Sequence, residues 1–460
     1  MASHQRLVER LRRVLIWPIR QWELVVLLAV LLLSLTTESP PPSNLNAQIN
    51  RLLVGERFDF MGWEVEAVLS KLAHTLVAPQ RYMDESARHD FLLGYLEVIA
   101  DVQQVEWEIH HIYADPEVEE PEAKSVELRA RLEKLRMEEE VRQPLAEAIL
   151  EEQIACILVN EGFGLLGQEI PPVSVRFTPL PALLIVSPRD RIERIFSLGL
   201  RHGLDAAQRE AIEAQVDTTH AVVPPARPSG SAELVKAPPE PELDGVSSLV
   251  TGIGGLSAYP AMLLESRSLN WIAEVTAHEW THHYLAPRPL GWNYDATPET
   301  RTINETVASI VGKEAGRRMV ARYYPEHLPP EPEPKQPDGE PEEEPLPSEP
   351  PAFDFRVEMR ETRIQVDELL AEGKIEEAEV YMEERRQEFV ANGYHIRKLN
   401  QAYFAFHGAY ADEPGAAGTD PIGPAVQELR AVSPDLYTFV ARIAPVTTLA
   451  ELEVLLAETE

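Results

Sequence analysis

Cysteine is almost missing from this sequence. Cys156 is the single one among 460 residues, so no disulfide can form within the chain and no cysteine-based zinc site can be built. This argues against a small secreted fold that depends on disulfides. The scarcity is compatible with a cytoplasmic protein and equally with an exported bacterial protein.

Positive charge is also scarce. The chain has 42 Lys and Arg against 76 Asp and Glu, which leaves a formal net charge of −34. A nucleic-acid-binding protein needs a basic face, so we expect no nucleic-acid partner. The length allows two or three domains, and a hydrophobic fraction of 44% is enough for a packed core.

Long apolar runs are limited to the N-terminus. Leu24 to Leu35 is apolar apart from Ser34, and the apolar pattern extends backwards to Val14. Positive charges precede the run, which predicts a cytoplasmic N-terminus and an extracytoplasmic main domain. They are Arg6, Arg10, Arg12, Arg13 and Arg20.

No small-x-small cleavage site follows the run. We therefore favour an uncleaved signal anchor over a cleaved signal peptide, with an amphipathic helix packed on the domain as a third possibility. The expected location is the cell membrane, with a single pass that contacts the lipid bilayer. One anchor argues against intramembrane proteolysis, which needs several helices to bring water to the bond.

The remaining chain predicts a mainly α protein with a small β-sheet, an α+β fold. Apolar spacing after Asp84 indicates a helix, Pro144 fits the first residue of another, and two short strands are expected between Pro171 and Pro188. We divide the chain into residues 1–43 (stub, anchor and Pro-rich exit), 44–167 (helical), 168–324 (core), 325–352 (Pro/Glu-rich disordered linker) and 353–460 (C-terminal helices that could complete a cleft).

One short motif contains potential metal ligands and a potential general base. Residues 278–282 read His278-Glu279-Trp280-Thr281-His282, and positions i and i+4 of a helix share a face. Both imidazoles can then reach one metal ion, and Glu279 can act as general base toward its water. Leu269 to Leu285 contains no Pro or Gly, so a continuous helix is plausible. The alternative is a surface helix with ordinary His and Glu.

A catalytic zinc needs a third protein ligand. Glu305, 23 residues after His282, is the predicted one, and Ala308, Ser309 and Gly312 would let its helix approach the motif helix closely. The alternative for Glu305 is a capping box with Thr302. Asp295 is the alternative ligand. The prediction is one Zn²⁺ per chain, held by His278, His282 and Glu305.

The pair His278-Glu279-x-x-His282 and Asn304-Glu305-x-x-Ala308 resembles the gluzincin group of metallopeptidases. The resemblance covers about residues 260–320 and implies a zincin-like core, with an edge strand above the metal that binds substrate backbone. Gly254 to Tyr259 would fit that strand. Thermolysin-like members place Asp where Ser309 stands, so the residues supporting the ligands must differ. The metzincin pattern is excluded by Leu285 and Arg288.

A donor is also needed for the oxyanion of the transition state. In the segment Asn400 to Tyr410, Tyr403 and His407 are i, i+4 neighbours and are the first candidates. The alternative is a helix that packs its aromatic residues into the core. Weaker candidates for the donor are Tyr294, Tyr284 and His283.

Together these features predict a membrane-anchored zinc metallopeptidase acting on a peptide or protein. A non-catalytic membrane-anchored interaction or scaffold protein with a vestigial or structural zinc site is the alternative, although a structural zinc has no need of Glu279. A zinc hydrolase of another amide, such as a cell-wall cross-link, also fits the motif.

Overall fold

A computed structural model describes residues 44–115, 118–165, 167–219, 221–222, 242–243, 245–329, 353–413 and 415–458. The predicted N-terminal anchor and most of the predicted Pro/Glu-rich linker lie outside these ranges. Within them, none of the helices combines the length and the apolar character that a membrane crossing requires.

The structure is mainly helical with small sheets, as the sequence predicts. Single-turn 3₁₀ segments lie at Pro79–Tyr82 and Pro325–His327, and a π-helical turn at Val159–Phe163. The helices are α1 Asn44–Leu52, α2 Phe60–Val77, α3 Glu85–Ala114, α4 Pro121–Lys124, α5 Val126–Leu158, α6 Ala206–Asp217, α7 Leu269–Leu285, α8 Pro289–Trp292, α9 Pro298–Tyr323, α10 Phe355–Ala371, α11 Ile375–Ala391, α12 Gln401–His407, α13 Ile422–Ala431, α14 Leu436–Ile443 and α15 Leu449–Ala457.

The N-terminal region contains one confirmed and one wrong helix boundary. Asp84 caps α3, because its Oδ1 accepts a hydrogen bond from the Ala87 N–H at 2.8 Å. Pro144 does not begin a helix but lies inside α5. Buried residues continue along the same face before and after the proline, from Glu139 to Leu150. Packing along this face maintains the helix through a residue that cannot donate a backbone hydrogen bond.

Within the described residues, ten short strands form small sheets. They are β1 Gly164–Leu165, β2 Gln168–Glu169, β3 Val175–Phe177, β4 Ala182–Pro188, β5 Phe196–Leu200, β6 Ala221–Val222, β7 Glu242–Leu243, β8 Val246–Thr251, β9 Gly255–Leu256 and β10 Ala261–Leu263. The two larger sheets have the orders β5-β4-β8, all antiparallel, and β3-β10-β9, with β3 parallel and β9 antiparallel to β10. Strand β9 is therefore at an edge.

The β5-β4-β8 sheet is covered on both faces. Ile212 and Val216 of α6 pack in one cluster with Leu184, and Ala402 of α12 packs on the opposite side of the strands with Ile185. Side chains of a strand alternate between faces, so neighbouring residues of β4 contact different helices. This arrangement brings the C-terminal region against the sheet that precedes the motif helix.

Helices α7 and α9 lie unusually close together because α9 carries glycines at the crossing. A Cβ atom at Gly312 would lie 2.8 Å from the Glu274 carbonyl oxygen, and one at Gly316 would lie 2.7 Å from the Glu274 nitrogen. Side chains other than hydrogen would therefore push the helices apart. The expected close approach at Gly312 is confirmed.

The C-terminal region is helical, as predicted, and begins with a helical hairpin. Helices α10 and α11 are separated at Gly373, whose φ of +75° lies in the left-handed region that favours glycine. Helix α12 follows, and its last turn leads into the segment that reaches the cavity described below. The last three helices join the main core through buried residues such as Val426, Phe439 and Leu452.

Candidate metal centre

Three side chains of α7 and α9 converge on one point. The His278 Nε2 and His282 Nε2 atoms are 3.2 Å apart, and Glu305 Oε2 lies 3.4 Å from the first and 3.6 Å from the second. The two histidines meet because they are one helical turn apart, and Glu305 reaches them because α9 crosses α7 at its glycines. The structure thus brings together the predicted ligands His278, His282 and Glu305, which could hold a metal ion. These three residues are called the metal group below.

The spacing fits a tetrahedral ion. Bonds of about 2.0–2.1 Å at tetrahedral angles put ligand atoms about 3.3 Å apart, close to the three distances observed. Glu305 Oε2 is buried and has no hydrogen-bond partner among the described residues. A buried carboxylate oxygen without a partner is costly unless a cation satisfies it.

The electrostatics of the group also favour a cation. Burial would raise the pKa of Glu305, but His282 and His278 hold it well below its usual range. Burial would lower the pKa of His282, but Glu305 raises it to about 9. The carboxylate therefore stays charged and requires a positive partner, which is a proton on His282 or a metal ion.

Two neighbours orient the ligand atoms. The His282 Nδ1–H donates to Asn304 Oδ1 at 2.7 Å, and Asn304 Nδ2 in turn donates to the Leu290 carbonyl at 3.2 Å. This bond leaves the Nε2 lone pair of His282 free to bind a metal. The Tyr294 hydroxyl donates to Glu305 Oε1, which directs Oε2 toward the imidazoles.

The capping-box explanation of Glu305 is wrong. Helix α9 begins at Pro298, with Thr297 as its N-cap, and the Thr300 N–H donates to Thr297 Oγ1 at 3.1 Å. Thr302 and Glu305 are therefore inside the helix and buried, where neither residue can cap its start.

Asp295, the alternative ligand, lies outside the group. Its Oδ1 accepts hydrogen bonds from Arg194 Nη2 at 2.5 Å and from Arg301 Nη2 at 3.0 Å. Its side chain is 72% exposed, whereas that of Glu305 is 7% exposed. Glu305 is the carboxylate that the fold directs at the histidines.

Glu279 lies between the motif helix and the edge strand. A Cβ atom at Gly255 would be 2.2 Å from Glu279 Oε1, so the β9 backbone passes directly against this carboxylate. Glu279 is buried, and its pKa is raised, first by desolvation and then by Glu305, against the lowering effect of His278 and His282. Within the segment Gly254 to Tyr259, only Gly255–Leu256 forms a strand, and this strand is the one next to Glu279.

The structure does not bring Tyr403 and His407 to the metal group. Their rings are 4.3 Å apart and line a different cavity, together with Ser309 and Lys313. Burial lowers the pKa of His407 to about 4 and raises that of Tyr403 to about 12. Both side chains belong to the packing of α12 against the C-terminal hairpin, which corresponds to the packing alternative.

Tyr410, three residues after His407, takes the place next to the ligands. Its ring stacks on His278 with centroids 6.2 Å apart and an interplanar angle of 28°. It lines the same cavity as Glu279 and Glu305. Desolvation, followed by the charge of Glu305, raises the pKa of Tyr410 well above 10, so the hydroxyl keeps its proton.

The weaker donor candidates have separate positions. His283 lines the cavity, but its Nε2–H donates to the Ala258 carbonyl at 2.7 Å, and burial lowers its pKa to about 4. His283 thus holds the loop that follows β9. Tyr284 packs against Phe163 in the core. Tyr294 lines the cavity and binds Glu305 through its hydroxyl.

The metal group opens into a cavity of about 420 Å³, a size typical of small-molecule and peptide sites. Its walls come from distant parts of the chain. They are Arg194 and Ser197 near β5, Gly255 to Ser257 at β9, Arg301 on α9, Ala405 and Phe406 on α12, and Ala409 and Tyr410 after it. The C-terminal region therefore contributes one wall of the cleft.

Three residues of the cavity were not predicted as functional. Arg301 is four residues before Glu305, so helical spacing would have placed it on the same face. Tyr410 follows the end of α12, where i, i+4 spacing no longer applies. Arg194 lies in a loop between β4 and β5, and nothing in its local sequence indicates a neighbour at residue 301.

Comparison with known proteins adds no family to this description. No protein-family model, no curated protein and no solved structure matches the chain.

Proposed function

We propose that this protein is a zinc-dependent metallopeptidase with a zincin-like site of the gluzincin type. The observation that carries the proposal is the convergence of His278 Nε2, His282 Nε2 and Glu305 Oε2 within 3.2–3.6 Å, beside the buried Glu279. Glu305 Oε2 is buried and has no hydrogen-bond partner in the described part of the chain. A structural site has no use for the carboxylate of Glu279, and a hydrolytic site requires a base at that position.

The donor set supports zinc as the metal. Two imidazoles and one carboxylate are a common ligand set of catalytic zinc and leave one position for water. When bound, zinc would supply a Lewis acid that polarises the scissile carbonyl and makes water acidic near neutral pH.

Glu279 would move the proton. Its carboxylate would accept a proton from the attacking water and deliver it to the leaving amine. The extended backbone of β9 pairs only with β10 in the described sheet. Its free edge, next to Glu279 at Gly255, would bind the substrate backbone as an added strand.

Tyr410 is the proposed donor to the developing oxyanion, in place of Tyr403 and His407. It stacks on a ligand, lines the cavity and keeps its proton because its pKa lies well above 10. A preorganised hydroxyl at this position would contribute on the order of 3 kcal/mol to transition-state stabilisation. Tyr294 is less suited, since its hydroxyl already donates its hydrogen bond to Glu305.

The proposed substrate is a peptide or protein, and the proposed location is the outer side of the cell membrane, from the apolar run and the preceding arginines. The first experiment measures zinc in the full-length chain purified in detergent, with Glu305→Ala, Glu279→Gln and, as control, the exposed Glu361→Ala. We expect about one zinc per chain in the unchanged protein, Glu279→Gln and Glu361→Ala, and none in Glu305→Ala.

A measurement of peptide cleavage by the same variants completes this test. Casein fragments and mixed peptides should be cleaved by the unchanged protein and by Glu361→Ala, and Glu279→Gln should retain zinc without cleavage. A purified, folded chain that holds no zinc would contradict the proposal and favour a membrane-anchored interaction protein.

A further inference from the structure

Two arginines with little exposed side-chain surface share the cavity with the proposed metal ligands. The side chains of Arg194 and Arg301 are 11% and 7% exposed, and both line the cavity. Burying a guanidinium is expensive unless anions compensate it, because arginine does not lose its proton in proteins. Such groups beside a reactive centre require an explanation.

The anions around them are too few. Both guanidiniums bind the same oxygen, Asp295 Oδ1, and the Asp295 side chain is mostly exposed to solvent. Arg301 Nε is buried and has no hydrogen-bond partner among the described residues. Asp295 is thus the only carboxylate that hydrogen-bonds to either guanidinium in the described part of the chain, and Arg301, which lines the cavity, keeps one N–H without an acceptor there.

Tyr294 connects this pair to the metal group. The guanidinium carbons of Arg194 and Arg301 lie 5.5 Å and 5.9 Å from the centre of the Tyr294 ring. The same ring is 5.9 Å from that of His282, and its hydroxyl binds Glu305. The arginines are therefore one aromatic side chain away from the ligands, a distance that about one to three extended residues of substrate would span.

We propose that Arg194 and Arg301 form a carboxylate subsite, and that the substrate is a peptide bound by a carboxylate on its leaving side. The inference rests on the proposed peptidase function and adds a substrate class to it. Guanidinium groups bind carboxylates through paired, directed hydrogen bonds. In the reaction, water adds its hydroxyl to the carbonyl carbon, the C–N bond breaks, and Glu279 carries the proton to the amine of a short acidic fragment.

The carboxylate can come from the C-terminus of the peptide or from an acidic side chain near it. Three N-acetylated tetrapeptides separate these sources: tetra-alanine with a free carboxylate, tetra-alanine amide, and an amide with Asp as the fourth residue. Calorimetry on the full-length, zinc-loaded Glu279→Gln protein measures their binding without turnover. We expect the free acid to bind about tenfold or more tightly than the alanine amide.

The Asp amide identifies the source. Binding as tight as that of the free acid assigns the subsite to side-chain carboxylates as well, and binding as weak as that of the alanine amide assigns it to the C-terminus. Adding Arg194→Gln or Arg301→Gln should reduce the acid-to-amide ratio to about one, whereas the exposed Arg322→Gln should leave it unchanged. If Arg301→Gln does not fold, the acid-to-amide ratio measured for Arg194→Gln alone tests the proposal.

Equal binding of the acid and the alanine amide by the folded, zinc-loaded protein would overturn the proposal. The zinc measurement distinguishes this failure from failure of the peptidase function. If the protein binds no zinc, the same titration is made on the zinc-free chain. An Arg194-dependent preference for the acid would still support the subsite, and its absence would overturn it.

Discussion

The Tyr294 hydroxyl donates a hydrogen bond to Glu305 Oε1, while Oε2 of the same carboxylate faces His278 and His282. One oxygen is thus used for orientation and the other is left for a cation. Tyr294 precedes the helix that carries Glu305, so the contact also ties the loop after α8 to α9. A hydrogen bond of this kind would orient the carboxylate before a metal ion bound to it.

We therefore expect Tyr294→Phe to weaken zinc binding about 10–100-fold while leaving one zinc per chain at saturation. The ring packing is kept and only the hydroxyl is removed. Competition with a chromophoric chelator measures the affinity. Tyr82→Phe, at a side chain that is 90% exposed, is the matched control, and an equal affinity in both variants would show that the Tyr294 bond has no role in binding.

Metal removal should destabilise the protein. A ligand that binds only the folded chain stabilises it by about 2.7 kcal/mol at a free concentration one hundred times its Kd. A chelator should thus lower the melting temperature of the unchanged protein by several degrees and leave that of Glu305→Ala unchanged. Calorimetric or circular-dichroism melts check this, and an equal shift in both proteins would place the metal elsewhere.

The close approach of α7 and α9 predicts a strong effect of a single methyl group. Gly316→Ala would place a Cβ atom 2.7 Å from backbone nitrogen of Glu274, which cannot rotate away. We expect a loss of about 1–3 kcal/mol in the free energy of unfolding, together with weaker zinc binding. At Gly252 nothing lies within 4 Å of the added Cβ atom, so Gly252→Ala should change neither quantity. Urea titrations measure the free energy of unfolding, and competition with a chelator measures the zinc affinity.

A buried charge cluster joins α2 to α5. Lys71 Nζ donates to Glu147 and Glu151, both at 2.7 Å, and these carboxylates accept the Phe177 and Val175 N–H groups at 2.9 and 2.7 Å. Lys71→Met removes the lysine ammonium from two buried carboxylates and should cost about 3–5 kcal/mol. Urea titration measures the loss.

The control for this cluster is Lys374→Met, at a lysine on the surface of the helical hairpin, which should leave the urea midpoint unchanged. A small loss in Lys71→Met, similar to that of the control, would mean that the two carboxylates take up protons or reach water when the lysine is removed.

His407, which lies outside the metal group, should make the stability of the folded protein sensitive to acid. Burial lowers its folded pKa to about 4, below the ordinary value of 6.5. Between these values the unfolded chain binds about one more proton than the folded chain, so stability falls as the pH drops from 6.5 toward 4. His407→Gln should reduce that fall by at most about 3 kcal/mol and leave the zinc content unchanged.

Unfolding curves at several pH values measure the His407 effect, with the exposed His202→Gln as control. A loss of zinc in His407→Gln would contradict the placement of this residue outside the site. A pH profile identical to that of the unchanged protein would show that His407 is not buried as a neutral group.

Helix α7 shows how much local sequence can predict. Its range Leu269–Leu285 coincides with the predicted stretch, because no Pro or Gly interrupts it and Ser268 caps it, with its side chain accepting from the Trp271 N–H. Pro144 shows the opposite case. The local rule indicates a helix start, but buried residues on both sides of the proline hold one continuous helix.

The sequence by itself determined the chemistry that depends on helical spacing. His278, Glu279 and His282 are neighbours on one helix, and a turn of 3.6 residues brings the two imidazoles together in any fold that forms it. Small residues after Glu305 also indicated a close crossing. These signals span a few residues, so they can be read without knowing how the chain folds.

Only the tertiary structure decided which side chains surround His278, Glu279 and His282. Tyr410 rather than Tyr403 or His407 reaches the ligands because α12 ends before it and the chain turns toward the cavity. Arg194 meets Arg301 because the loop before β5 and helix α9 border the same cavity, where both arginines bind Asp295. Such contacts join residues far apart in sequence through burial of apolar surface, which is non-directional and leaves no local pattern.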